Sequence, residues 1–116
     1  MINGIGLDIV ELHRIRKLDA RSSKFRCRIL TEREMSEYEK LSAARKTEFL
    51  AGRFAAKEAF AKANGTGIGS ACSFQEIEIR KDEKGKPSVF FRQQEIGLVS
   101  ITHTKEYAAA QVLLQS

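Results

Sequence analysis

The chain has 116 residues, enough for one domain and too few for two ordinary ones. With 42% hydrophobic and 8% aromatic residues it can bury a modest aliphatic core, which oligomerisation would extend by covering further apolar surface. The formal charge is +5, and no stretch approaches the ~20 apolar residues of a membrane span, which argues against a membrane protein.

The opening MINGIGLDIVEL lacks the basic segment and long apolar run of a signal peptide. Cys27 and Cys72 form no CxxC pair and have no histidine cluster beside them, which argues against a structural zinc site and suits a cytoplasmic protein with reduced thiols. Residues 2–10, INGIGLDIV, alternate, with Ile5, Leu7 and Ile9 on one side and Gly4, Gly6 and Asp8 on the other. This predicts a strand with an acid near its C-terminal end, facing away from the aliphatic side chains.

Residues 11–20 predict a short helix, with Leu12, Ile15 and Leu18 on one side and Arg14 and Lys17 on another. From Arg14 to Arg28 seven basic residues stand against one acid, Asp19, so this stretch accounts for all of the excess positive charge and the rest of the chain is close to neutral. Such a patch meets nucleic acid, an anionic cofactor or an acidic protein, or simply solvates a helix face. Thr31 followed by Glu34 is a capping box opening a helix over 32–41. A second helix is predicted over 44–63, closed by Asn64-Gly65.

The remainder reads as β-rich. SFQEIEIR (73–80) and SVFFR (88–92) flank the turn segment DEKGKP (82–87), and GLVSITH (97–103) faces YAAAQVLL (107–114) across Thr104-Lys105-Glu106. Helices in the first half and strands mainly in the second give an α+β arrangement rather than repeated βαβ units. No linker divides it, so residues 1–116 are expected to form one domain.

Phe54, Glu58 and Lys62 share one helical stripe, while Ala56, Phe60 and Ala63 fall on a face expected to be core. A Glu–Lys pair four residues apart is ordinarily a surface ion pair worth ~0.2–0.5 kcal/mol. Asp8 gives it a second meaning. Two carboxylates from distant segments are what magnesium takes from a protein when phosphate and water complete its shell. GTGIG (65–69) follows a helix, so it is neither a dinucleotide fingerprint nor a Walker loop, but glycine-rich backbone can form an N–H nest for phosphate. SITHT (100–104) places the lone His103 at a strand end.

Together GIGLD (4–8), RFAAKEAFAK (53–62), GTGIG (65–69) and SITHT (100–104) resemble the bacterial holo-acyl-carrier-protein synthases, the small trimeric 4′-phosphopantetheinyl transferases. Every position of their F/W-x-x-K-E-A-x-x-K pattern is present, from Phe54 through Lys57, Glu58 and Ala59 to Lys62. The resemblance implies helices packed on an antiparallel sheet, assembled as a homotrimer with the site between neighbouring subunits. It implies transfer of phosphopantetheine from coenzyme A to a serine of apo acyl carrier protein, releasing 3′,5′-ADP for fatty acid biosynthesis. Asp8 and Glu58 would hold Mg²⁺ (or Mn²⁺), Lys62 would meet a phosphate oxygen, and Glu58 or a water held there would take the serine proton. Arg53, Lys62, Gly65, Thr66, Gly67, His103 and Thr104 would contact coenzyme A. The basic segment would dock the acidic carrier through Arg14, Arg21 and Lys24, with Arg26 and Arg28 able to turn away from it.

The rival from another class is a small nucleic-acid-binding module using residues 14–28. Only Phe25 lies inside that segment to stack on a base, and neither an RNP nor a GXXG motif is present. An inactive scaffold of the same fold would have no need of Asp8, Glu58 and Lys62 together.

Overall fold

The computed structural model describes residues Met1–Ser116. The elements run β1 (Ile2–Glu11), α1 (Leu12–Arg21), α2 (Lys24–Ile29), α3 (Glu32–Glu39), α4 (Ala43–Asn64), a single 3-10 turn (Phe74–Glu76), then β2 (Ile77–Lys81), β3 (Pro87–Phe91), β4 (Gln94–His103) and β5 (Tyr107–Gln115). All strand pairs are antiparallel, in the order β1-β5-β4-β3-β2. The first strand thus sits at an edge beside the last, and the two termini pair, with Ser116 N donating to Met1 O at 3.0 Å. The helices-then-strands expectation holds, with β1 as the exception that the sequence also marked.

Helix α4 organises the rest. Ser42 caps its N-terminus, accepting from Arg45 N, and Gly65 closes it at φ +82°, a left-handed geometry that suits glycine. Its alanine-rich middle lies on the sheet. Ala51, Ala55, Ala56, Ala59, Phe60 and Ala61 are fully buried within one core cluster of 23 residues that also takes in Ile77, Ile79, Val89 and Val112. No helix is long and apolar enough to cross a membrane.

The inner face of β1 is the glycine face. A Cβ on Gly6 would stand 1.8 Å from the Ala59 carbonyl oxygen, and one on Gly4 2.5 Å from that of Ala63. Only glycine lets the strand lie directly on the α4 backbone. The aliphatic face turns outward instead, with Ile5, Leu7 and Ile9 each 61–65% exposed. Leu113 and Ala109 of β5 stand opposite Ile5 and Ile9. A monomer rarely leaves such a patch uncovered.

Three differences from the sequence expectation have local causes. Lys24–Ile29 is a helix that the charge run concealed, since only Phe25 and Ile29 give it apolar contacts. The strand expected from Ser73 begins at Ile77, because Ser73 and Glu76 form a capping box over the 3-10 turn. The β3–β4 turn uses Arg92 and Gln93 at φ +52° and +72°, the left-handed pair of a tight hairpin. Arg92 is tied down by Glu76, its Nε donating to Oε2 at 2.7 Å.

Candidate active site

The close approach of β1 to α4 brings Asp8, Glu58 and Lys62 together. Asp8 lies two residues beyond Gly6 on the same inward face, and Lys62 Nζ donates to Asp8 Oδ1 and to Leu7 O, both at 3.0 Å. The ammonium is half-exposed and the carboxylate is mostly covered. Glu58 stands one turn before Lys62. Burial first, then the Asp8 charge, push its carboxyl above the usual carboxylate range, while Lys62, Arg28 and Arg14 pull the other way. A carboxyl whose ionisation is opposed by burial and by a neighbouring carboxylate is poised to accept a cation. No group of three or more His, Cys, Asp or Glu side chains gathers in the fold, so the protein offers two hard oxygen donors and leaves the other positions to water and phosphate. That donor set fits Mg²⁺.

Gly65, Thr66 and Gly67 leave the end of α4 beside this cluster. Thr66 N and Gly67 N both return to Ala61 O, at 3.2 and 3.1 Å, and Gly67 also has a left-handed φ of +67°. The loop is pinned at its far end by a two-way backbone bridge between Gly69 and Cys72.

Arg53 and His103 line a second concavity of about 370 Å³, shared with Arg45, Lys81 and Glu48 and floored in part by Phe49. Arg53 is buried, its guanidinium stacked over Phe49 at 4.3 Å. Its Nε and Nη2 are both buried and have no hydrogen-bond partner. Burial holds its pKa below the usual value despite Glu34 and Glu37 nearby. His103 Nε2 lies 3.5 Å from Glu48 Oε2. The lining sets Arg45, Arg53 and Lys81 against Glu37 and Glu48, and Arg53 keeps donors that no protein group uses, so the pocket can take a phosphate.

Asp8, Glu58 and Lys62 are absent from that lining. Arg53 and Glu58 are five residues apart on α4, about 140° around the helix. One chain therefore displays two half-sites on different sides of the same helix. Thr104 joins neither of them by its side chain. Its Oγ1 accepts from Glu106 N and Tyr107 N at 3.3 and 3.1 Å, closing the β4–β5 turn. Arg45, Glu48 and Lys81 went unnoticed in the sequence because they come from α4 and β2, with no common spacing to join them.

Arg14, Arg21 and Lys24 are exposed on α1 and α2. Arg26 turns inward, paired with Asp19 at 2.8 Å and donating to Tyr38 Oη at 3.0 Å, so it braces α1, α2 and α3 together. Arg28 stays exposed over the Phe74 ring and directs charge toward Glu58.

One side of α4 thus gathers two carboxylates and a lysine, and another side borders an arginine-lined pocket. Residues 4–112 match the 4′-phosphopantetheinyl transferase superfamily, and the chain belongs to it. It is 61% identical to a Bacillus subtilis protein named holo-acyl-carrier-protein synthase, over 99% of this chain and 97% of that one. A Geobacillus kaustophilus protein of the same name is 60% identical over 99% of this chain and 90% of that one. Among solved structures, a Bacillus anthracis holo-acyl-carrier-protein synthase in complex with CoA (3′,5′-ADP) superposes with a TM-score of 0.91 at 53% identity, covering 100% of this chain and 98% of the other. A Helicobacter pylori one in complex with coenzyme A gives 0.84 at 34% identity, over 96% and 99%.

Proposed function

We infer that the protein acts as a holo-acyl-carrier-protein synthase. It moves 4′-phosphopantetheine from coenzyme A to a serine hydroxyl of apo acyl carrier protein, in support of fatty acid biosynthesis. The observation that carries this reading is the convergence of Asp8, Glu58 and Lys62 where β1 lies on α4, in a chain whose relatives have been seen with coenzyme A bound. The serine oxygen attacks the β-phosphorus, the bond from that phosphorus to the oxygen of the α-phosphate breaks, and 3′,5′-ADP leaves with the bridging oxygen. The serine proton passes to Glu58 or to a water beside it.

Phosphoryl transfer asks the protein mainly for position and charge. Asp8 and Glu58 would hold Mg²⁺, which when bound supplies Lewis-acid neutralisation of the diphosphate. Lys62 trades its contact with Asp8 for a phosphate oxygen and steadies the charge that builds there. Gly65, Thr66 and Gly67 border the phosphates as a side-chain-poor turn, since their backbone N–H groups are returned to Ala61 and Lys62 at the end of α4. At the other end Arg53, whose buried Nε and Nη2 have no protein partner, and His103 receive the 3′-phosphate, while Phe49 and Pro87 border the same pocket.

The separation of the two half-sites supports a homotrimer in which one subunit supplies the carboxylates and its neighbour supplies the Arg53 pocket. The exposed face of Ile5, Leu7 and Ile9 supports the same assembly, because it is the apolar surface that a neighbour would cover. The whole chain then works as one domain in the cytoplasm. Arg14, Arg21 and Lys24 form the docking face for an acidic carrier, where opposite potential speeds encounter. Incubation with coenzyme A, Mg²⁺ and an apo carrier should add one phosphopantetheine to the carrier's mass. Failure with every carrier tried would end this reading.

A further inference from the structure

Lys57 lies beside Glu58 in sequence, yet the chemistry above makes no use of it. Its side chain is fully buried. Nζ donates to Glu34 Oε1 at 2.6 Å, to Ile29 O at 2.7 Å and to Phe74 O at 3.1 Å, so all three of its hydrogens are spent. Glu34 is equally committed. Its Oε1 also accepts Thr31 N at 2.9 Å, and its Oε2 accepts Ile79 N at 2.9 Å.

Arg53 is the second cation next to this one carboxylate. Its Nε is 3.9 Å from Glu34 Oε2, beyond hydrogen-bond reach, and its Nε and Nη2 have no partner. That allocation runs against ordinary preference. A guanidinium offers a carboxylate two parallel donors and is less strongly hydrated than an ammonium, so arginine is the usual winner of a buried carboxylate. Here the lysine holds it, and the arginine, which lines the proposed nucleotide pocket, is left with its charge and its buried Nε and Nη2 unspent. Glu37 also acts on Arg53 from that wall, but without a hydrogen bond to it.

We propose that Lys57 is a positioning residue that keeps Glu34 occupied, so that Arg53 remains free to grip the 3′-phosphate of coenzyme A. The inference rests on the assignment of Arg53 to that phosphate made above. Without the Lys57 ammonium, the Glu34 carboxylate turns to its remaining cation and forms the two-donor pair with Arg53. The ligand phosphate then has to compete with a carboxylate built into the protein.

The test measures calorimetric binding of two probes to the assembled protein: 3′,5′-ADP, and 5′-AMP, which lacks the 3′-phosphate. Lys57→Met should reduce the preference for 3′,5′-ADP by about 10- to 100-fold, the factor for losing one hydrogen bond between charged groups, and leave 5′-AMP binding unchanged. Adding Glu34→Gln to Lys57→Met should restore the preference to within about threefold, since replacing both partners of a buried ion pair removes the competitor. Rescue by a second buried substitution is not what simple structural damage predicts. A folded Lys57→Met protein that keeps the full preference, or a folded double variant that does not recover it, overturns the proposal. Should Lys57→Met not fold, Glu34→Gln alone decides: a preference kept or strengthened supports the proposal, and a lost one means the carboxylate holds Arg53 in place instead. Equal binding of both probes by the unaltered protein would remove the Arg53 assignment itself, and the role of Lys57 with it.

Discussion

Gly6→Ala tests whether the contact between β1 and α4 assembles the catalytic cluster. The added methyl would sit 1.8 Å from Ala59 O and 2.9 Å from Ala63 N, both backbone atoms that cannot swing aside. Ordinary contact begins at 3.4 Å, so strand and helix must part by about 1.5 Å. Overpacking of this kind costs about 1–3 kcal/mol. For a chain of this length that lowers Tm by roughly 5–15 °C. The larger effect falls on catalysis. Asp8 rides on the strand while Glu58 and Lys62 ride on the helix, and a displacement of about 1 Å at reacting groups costs on the order of 100-fold in rate. Steady-state transfer to apo carrier, run well below the lowered Tm, should therefore show kcat/KM down by about two orders of magnitude, far more than the stability loss explains. A folded Gly6→Ala protein with near-normal turnover would refute the reasoning, for it would mean that Asp8 and Glu58 need not be held at this spacing.

The other predictions follow from the same geometry. Glu58→Gln should abolish turnover without unfolding the chain, as judged by circular dichroism. Because burial and Asp8 raise the folded pKa of Glu58 above its unfolded value, its ionisation opposes folding, and this loss of stability grows as pH rises through the window between those two values. Glu58→Gln should therefore melt higher than the parent protein at neutral pH without divalent cation, and Mg²⁺ should raise the Tm of the parent only. Charge reversal at Arg14 should raise KM for the carrier, steepen less with salt than the parent does, and leave coenzyme A binding unchanged. Leu7→Asp on the outward face of β1 should convert a trimer into monomers in sedimentation and remove activity, although the substituted side chain points away from the Asp8 cluster and only the unchanged Leu7 carbonyl meets Lys62.

Local chemistry carried the fold a long way. The Thr31–Glu34 capping box, the Gly65 stop and the alternation of β4 and β5 all act over a few residues, so they could be read directly. What stayed hidden depends on partners far along the chain. Alternation in β1 separated Ile5, Leu7 and Ile9 from Gly4, Gly6 and Asp8, but which set faces α4 depends on how near the helix backbone comes. Glu34 reads as a cap residue; its role as the buried acceptor of Lys57 needs β2 and α4 in place. Likewise Lys57 and Lys62 look alike on α4, yet one is sealed in the core and the other is half-exposed beside Asp8. The candidate site divides the same way. Asp8, Glu58 and Lys62 were singled out by residue type together with the family resemblance, whereas Arg45, Glu48 and Lys81 gain meaning only as neighbours of Arg53.

The cation site is open to direct observation. Crystals of the protein grown with Mn²⁺ and coenzyme A should show one anomalous scattering peak per chain, within coordination distance of both the Asp8 and Glu58 carboxylates and of the diphosphate. A well-ordered ligand with no such peak, or a peak bound by other side chains, would contradict the account.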